Sequence, residues 1–127
     1  MTTIEKLVNS IKKNVFWCID TCHAHAAEYD FSYKNTQEKF WDNFDKQIGL
    51  DRVKYIHCND SKKGCSSKLD RHEFLGKGTI GEEGFAYLFN NPQLKKINKI
   101  LETPFDTPLD YKKDLEFIEK LNFYAKK

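Results

Sequence analysis

Three short apolar runs, each closed by a side chain able to hold a metal or move a proton, constrain this chain most. "VFWCID" ends at Asp20, "VKYIHC" carries His57 near its end, and "INKILE" ends at Glu102. Helical patterns lie between and around them. Phe40, Trp41, Phe44 and Ile48 form one stripe in "TQEKFWDNFDKQIG", with Gly49 where a helix C-cap belongs. "EEGFAYLF" reads as a helix stopped by Pro92, and "TPLDYKKDLEFIEKL" as a last helix with Thr107 as N-cap and Pro108 in its first turn. At the start, Ile4, Leu7, Val8 and Ile11 share one helical face, and Thr2 with Glu5 has capping-box spacing. The order is helix, strand, helix, strand, helix, strand, helix. Such alternation argues for parallel βαβ units with helices packed on a mostly apolar sheet. Three strands make a poor sheet alone, and a closed (β/α)8 barrel takes about 250 residues. A chain of 127 residues therefore reads as one domain's worth of polypeptide that is part of something larger.

Ten Phe and six Tyr supply enough large apolar side chains for a core, which excludes wholesale disorder. A formal charge of +2 permits a nucleic-acid partner without demanding one. No apolar run approaches the roughly 18 residues of a membrane span, and "MTTIEKLVNSIKKN" is amphipathic where a signal peptide would be apolar. The expectation is a soluble, intracellular protein with no membrane partner. Cys18, Cys22, Cys58 and Cys65 are then expected as reduced thiols; a four-cysteine zinc site matches their C-x3-C and C-x6-C spacings poorly. The segment from Asn59 to Gly81, rich in Lys, Ser and Gly and without a helical stripe, reads as a functional loop.

In parallel α/β folds the C-terminal ends of the strands gather on one face, where sites are built. Asp20, His57 and Glu102 are therefore expected to converge although they are far apart in sequence. Carboxylate, imidazole and carboxylate make a shell suited to zinc or manganese. A second set follows those strands: His23, and the pair Asp70 and His72, which face the same way if their backbone is extended. Two metal ions about 4 Å apart suit phosphodiester cleavage. Any one of these residues alone is more often a hydrogen-bonding or capping group than a ligand; six together shift the balance. His25 shows no evident partner and reads as a surface or packing histidine, and Phe40, Trp41 and Phe44 as core stripe, not a platform for stacked bases.

At these residues the chain resembles endonuclease IV. "CIDTCHAHAAEYD", "IHCNDSKKGCSSKLDRHEFLGKGTIG" and "ILETP" look like three signature segments of that family, in its order and at comparable separations. The resemblance runs from Val15 to the last helix. It implies an α/β fold forming the C-terminal part of a (β/α)8 TIM barrel, about three βα units, with residues 1–127 as one partial domain. It implies a zinc-dependent endonuclease of DNA repair that cuts duplex DNA 5′ to an abasic site, leaves a 3′-hydroxyl and trims blocked 3′ ends. His23, Asp70 and His72 match the ligands of one zinc; Asp20, His57 and Glu102 match those of a second. The family's third zinc, and the glutamate bridging to it, depend on a first half of the barrel that this sequence does not carry, since Met1 lies just before the strand of Asp20. One zinc site is thus expected to be complete in ligand type and a second to be partial. His25 stands where the family usually has Phe, and Glu28 where it has Gly.

The same resemblance implies a bent duplex with its lesion flipped into a pocket, and phosphate contacts in place of base readout. Lys62, Lys63, Lys68, Arg71 and Lys77 form a basic loop suited to that, or simply a solvated one. The chain alone is expected to bind zinc weakly and not to cut; a complementing N-terminal half-barrel is the implied partner. A non-catalytic zinc- or DNA-binding fragment is the alternative, and a sugar isomerase or epimerase barrel a more distant one.

Overall fold

The computed structural model describes residues 15–104 and 107–125, with side chains through residue 121, and the isolated helical positions Thr3, Ile4 and Lys6. The expected opening helix falls largely on positions outside the described residues, as do Thr2 and Glu5 of its capping box.

Strand β1 (Trp17–Asp20) leads directly into helix α1 (Thr21–Ala27), followed by α2 (Lys34–Gln47) and a 3-10 turn (Leu50–Arg52). Strand β2 (Val53–Cys58) comes next, then the short strands β3 (Asp60–Ser61) and β4 (His72–Glu73). Helix α3 (Gly81–Asn90), a 3-10 turn (Pro92–Leu94), β5 (Asn98–Leu101) and α4 (Pro108–Ala125) complete the order. The fold is α/β, with β1, β2 and β5 in one parallel sheet in which β2 is central and β1 and β5 are the edges among the described residues. No closed barrel forms among them, as expected of about three βα units.

Two expectations need correction. Helix α1 is additional to the expected elements; "TCHAHAA" is too short to display a helical period, and Asp20, the ligand candidate, is also its N-cap. The segment 59–81 is not an unpaired loop, because Asp60 and Ser61 pair antiparallel with Glu73 and His72.

The register fixes which side chains share a face. Ile19 pairs with Ile56, and Cys58 with Leu101; these pack with Trp41, Phe85, Leu88 and Leu121 of the helices. Trp41 is fully buried, with Phe40 stacked edge-on at 4.8 Å and Phe44 partly buried beside the core, so the stripe in α2 is core. The other sheet face bears Cys18, Tyr55, Asn98 and Ile100, all exposed, and continues at its C-terminal end to Asp20 and His57. Alternation along β5 places Glu102 on that face too. Gly49, in the left-handed region at φ 107°, ends α2 with its N–H donating to the Phe44 carbonyl. At α4 the Thr107 N–H donates to Asp110 Oδ2, the backward half of a capping box. No helix among the described residues is long and apolar enough to cross a membrane.

Candidate metal centre

Asp20 is held from both sides. Its Oδ1 accepts the N–H groups of Cys22 (2.9 Å) and His23 (3.1 Å), which caps α1, while Oδ2 accepts from Asn59 Nδ2 (3.1 Å). Oδ2 also lies 3.3 Å from His72 Nε2.

His72 reaches this point through the 59–81 segment. The chain leaves β2, makes β3 and crosses the end of α1 before returning as β4. At the crossing Ser66 N–H donates to the His25 carbonyl (3.1 Å) and Lys68 N–H to the Ala26 carbonyl (2.8 Å), satisfying carbonyls that the short helix leaves open. Both donors adopt left-handed backbone, φ 63° and 61°, a conformation non-glycine residues hold only where surrounding bonds enforce it. Asp70 and His72 follow immediately. His72 Nδ1 lies 2.8 Å from the Glu102 carbonyl oxygen, an atom that only accepts, so Nδ1 carries a proton and Nε2 is the nitrogen turned toward the carboxylates.

Asp20, Cys22, Asp70 and His72 therefore form one group, and Asp20, His57 and Glu102 another; in each, one ligand atom per residue lies within 4.8 Å of the others. Asp20 belongs to both. His72 Nε2 is 3.5 Å from Asp70 Oδ1, and His57 Nδ1 contacts Glu102 Oε1. His23, the third residue of the expected first set, is largely exposed and stands with Nδ1 3.6 Å from Asp70 Oδ2, outside the four-membered group. Carboxylate and imidazole donors converging on a half-exposed rim are the chemistry of a divalent cation site.

Cys22, expected only as a reduced thiol, is buried beneath the first group. Its Sγ donates to the Arg71 carbonyl at 3.4 Å, and burial, then Asp70, push its thiol up to about 12. At neutral pH it is a protonated, weak ligand. All four cysteines are free. His25 does have partners. Buried in α1, it accepts the Phe31 N–H at Nδ1 (3.2 Å), leaving Nε2–H to donate to Thr79 Oγ1 (3.0 Å). It is a packing histidine that ties α1 to the end of the 59–81 segment.

Two further buried polar residues carry no local signal in the sequence, because their partners are remote along the chain. Asn59 bonds both Asp20 and the Glu102 N–H. Asp60, fully buried, accepts the N–H groups of Ser61, Gly76, Gly78, Ile80 and Gly81 at 2.8 to 3.2 Å and folds "GKGTIG" around itself. A Cβ at Gly78 would stand 2.3 Å from the Ser61 carbonyl oxygen, so only glycine fits there.

The basic residues Lys62, Lys63, Lys68, Arg71 and Lys77 are all exposed. Lys68 lines a cavity of about 220 Å³ with His23 and Asp70. Arg71 is the chain neighbour of both Asp70 and His72. Lys77 lines a different cavity, against Phe74, Lys113 and Phe117 near α4.

Residues 2–121 match the family described as the xylose isomerase-like TIM barrel. "Probable endonuclease 4" of Halothermothrix orenii is 43% identical over 122 residues, covering 94% of this chain and 43% of that protein. Its counterpart in Geotalea daltonii is 49% identical over 87 residues, 68% of this chain and 30% of that one. The crystal structure of endonuclease IV from Thermus thermophilus superposes with a TM-score of 0.75 at 38% identity, over 84% of this chain and 38% of that chain. The chain spans less than half the length of these relatives. It belongs to the xylose isomerase-like TIM barrel family, among the endonuclease 4 proteins.

Proposed function

We propose that these residues are the C-terminal portion, one partial domain, of a zinc-dependent endonuclease that acts inside the cell on abasic sites in duplex DNA. The observation that carries this reading is the convergence of Asp20, His57, Asp70, His72 and Glu102 into two groups sharing Asp20, on the rim where the parallel strands end. His23 beside Asp70 supplies a further imidazole within reach of a side-chain rotation. The donor set suits zinc, and the bond from His72 Nδ1 to the Glu102 carbonyl already turns Nε2 toward Asp20 and Asp70.

Bound zinc would polarise a phosphate and lower the pKa of attacking water. The chain's own side chains do the rest. Asp20, fixed by three N–H donors, keeps the two groups at a set spacing. Lys68 and Arg71 stand at the rim where a DNA backbone would approach, and contribute sequence-independent phosphate attraction; Lys62 and Lys63 extend that field. Lys77, on the α4 side, contributes least. The barrel description alone does not choose a substrate, since such barrels host many chemistries; the likeness to endonuclease 4 proteins is what favours DNA over a sugar.

The exposed sheet face and the edges β1 and β5 would be covered by the rest of a barrel, whether continuous with this sequence or supplied as a separate half. The test is zinc content together with incision of an abasic-site duplex, by this chain alone and mixed with an N-terminal half-barrel of the same family. Incision in the mixture, dependent on zinc, is expected. Zinc bound without incision in either sample would make the chain a non-catalytic zinc-binding fragment.

A further inference from the structure

We propose that Asn59 is a positioning residue that holds both metal groups in one arrangement: one buried side-chain amide orients the carboxylate of Asp20 and anchors the peptide of Glu102. The inference rests on the metal reading above and adds to it a residue that is not itself a ligand.

Asn59 is fully buried and bonded at every end. Its Nδ2 donates to Asp20 Oδ2 (3.1 Å) and its Oδ1 accepts the Glu102 N–H (2.9 Å). Its backbone N–H donates to Thr21 Oγ1 (3.0 Å), and that hydroxyl donates to the Asn59 carbonyl (2.7 Å). The side-chain amide therefore cannot turn without breaking its bonds to β1 and the end of β5 together, while the backbone that carries it is pinned to Thr21 of α1.

The consequences reach the ligands. Oδ2 is the Asp20 oxygen that faces His72 Nε2, so the donor from Asn59 sets which lone pair remains for a cation. At the other end, fixing the Glu102 N–H fixes its peptide unit near the residue's carbonyl, and that carbonyl accepts His72 Nδ1–H. Asp20 thus belongs to both groups, Glu102 to one, and His72 to the other. Supporting bonds of this kind typically change metal affinity by about 10- to 100-fold when lost.

The experiment uses the full chain. Zinc affinity is measured by competition with a chromogenic chelator, and ligand geometry by the visible spectrum of the cobalt(II) form, for wild type, Asn59→Ala and Gln37→Ala. Gln37 is an equally buried amide that bonds the Phe31 and Gly84 carbonyls, far from the ligands in the bonding network, and controls for lost stability. Expected is a loss of zinc affinity of about 10- to 100-fold with an altered cobalt band in Asn59→Ala, and neither change in Gln37→Ala. Wild-type affinity and spectrum in folded Asn59→Ala, or the same change in Gln37→Ala, overturns the inference. Should Asn59→Ala not fold, NMR of the wild type decides: the Asn59 side-chain amide resonances must move when zinc is added, and stationary resonances in zinc-loaded protein overturn it. A wild type that binds no zinc overturns the metal reading and this inference together.

Discussion

The imidazole of His72 sits between the two strand ends, Nδ1 at 2.8 Å from the Glu102 carbonyl oxygen and Nε2 at 3.3 Å from Asp20 Oδ2. One nitrogen is committed to the backbone and the other faces two carboxylates, Asp20 and Asp70. His72→Ala should therefore lower zinc affinity by more than loss of a supporting bond does, beyond about 100-fold. Because the side chain lies on the rim, the metal-free protein should unfold within about 0.5 kcal/mol of wild type. Chelator competition and urea unfolding in the absence of metal check the two halves separately. If the metal-free protein loses several kcal/mol, His72 is a structural residue first.

Asp60 tests a different kind of dependence. Five backbone N–H groups converge on its carboxylate inside the fold, and Asp60→Ala leaves them without an acceptor. Since each unsatisfied buried donor costs about 1–3 kcal/mol and the costs are not additive, a total loss of at least about 3 kcal/mol is expected. Gly78→Ala should also destabilise, by roughly 1–3 kcal/mol, because its new methyl would press on the Ser61 carbonyl and Asp60 Oδ1. Denaturant midpoints measure both. Equal stability of Asp60→Ala and wild type would show that the "GKGTIG" segment closes without the carboxylate.

His25 predicts a pH dependence. Burial lowers its pKa from 6.5, and Asp30 and Asp60 only partly oppose that. The unfolded chain therefore binds a proton before the folded one does, and stability falls as the medium is acidified. Above the unfolded value of 6.5 both states are neutral and the effect is absent. It opens as pH drops through 6.5 and is complete once pH passes below the lowered folded value. His25→Asn, which keeps one acceptor and one donor, should flatten this part of the stability–pH curve. Unfolding free energies taken across that window, with and without the substitution, give the answer; an unchanged slope would assign the acid sensitivity to other groups.

The sequence patterns reveal the elements better than the bonds among them. Strand β2 and the helix after Thr107 are read directly, because an apolar run or a Pro at N1 is a local signal. The strand-end rule brings Asp20, His57 and Glu102 together without any contact being known. Helix α1 is invisible to periodicity because its seven residues show none; Asp20 before a threonine and an alanine-rich run is the available clue. The burial of Asn59, Asp60 and His25 is not legible, since each looks like an ordinary polar loop or surface residue until its partners, 6 to 54 positions away in the case of His25, fold against it. Cys22 illustrates the same limit: only the return of the 59–81 segment places it beneath Asp70.

The two faces of the sheet make a last prediction. Ile56 is fully buried against the helices, whereas Tyr55, one residue earlier and on the opposite face, is 41% exposed, and Ile100 beyond it 37%. Ile56→Ala should then cost about 2–5 kcal/mol through lost burial and the cavity left behind. Ile100→Lys should leave stability within about 0.5 kcal/mol and reduce self-association, because a charge on an open apolar face discourages edge and face contacts between copies. Urea unfolding and sedimentation velocity on the isolated chain distinguish the faces. The expectation for Ile100→Lys reverses when the chain is completed by a half-barrel: the position turns inward, and the same charge should weaken complementation. A lysine at position 100 that destabilises the isolated chain as strongly as Ile56→Ala would mean that this face is already covered.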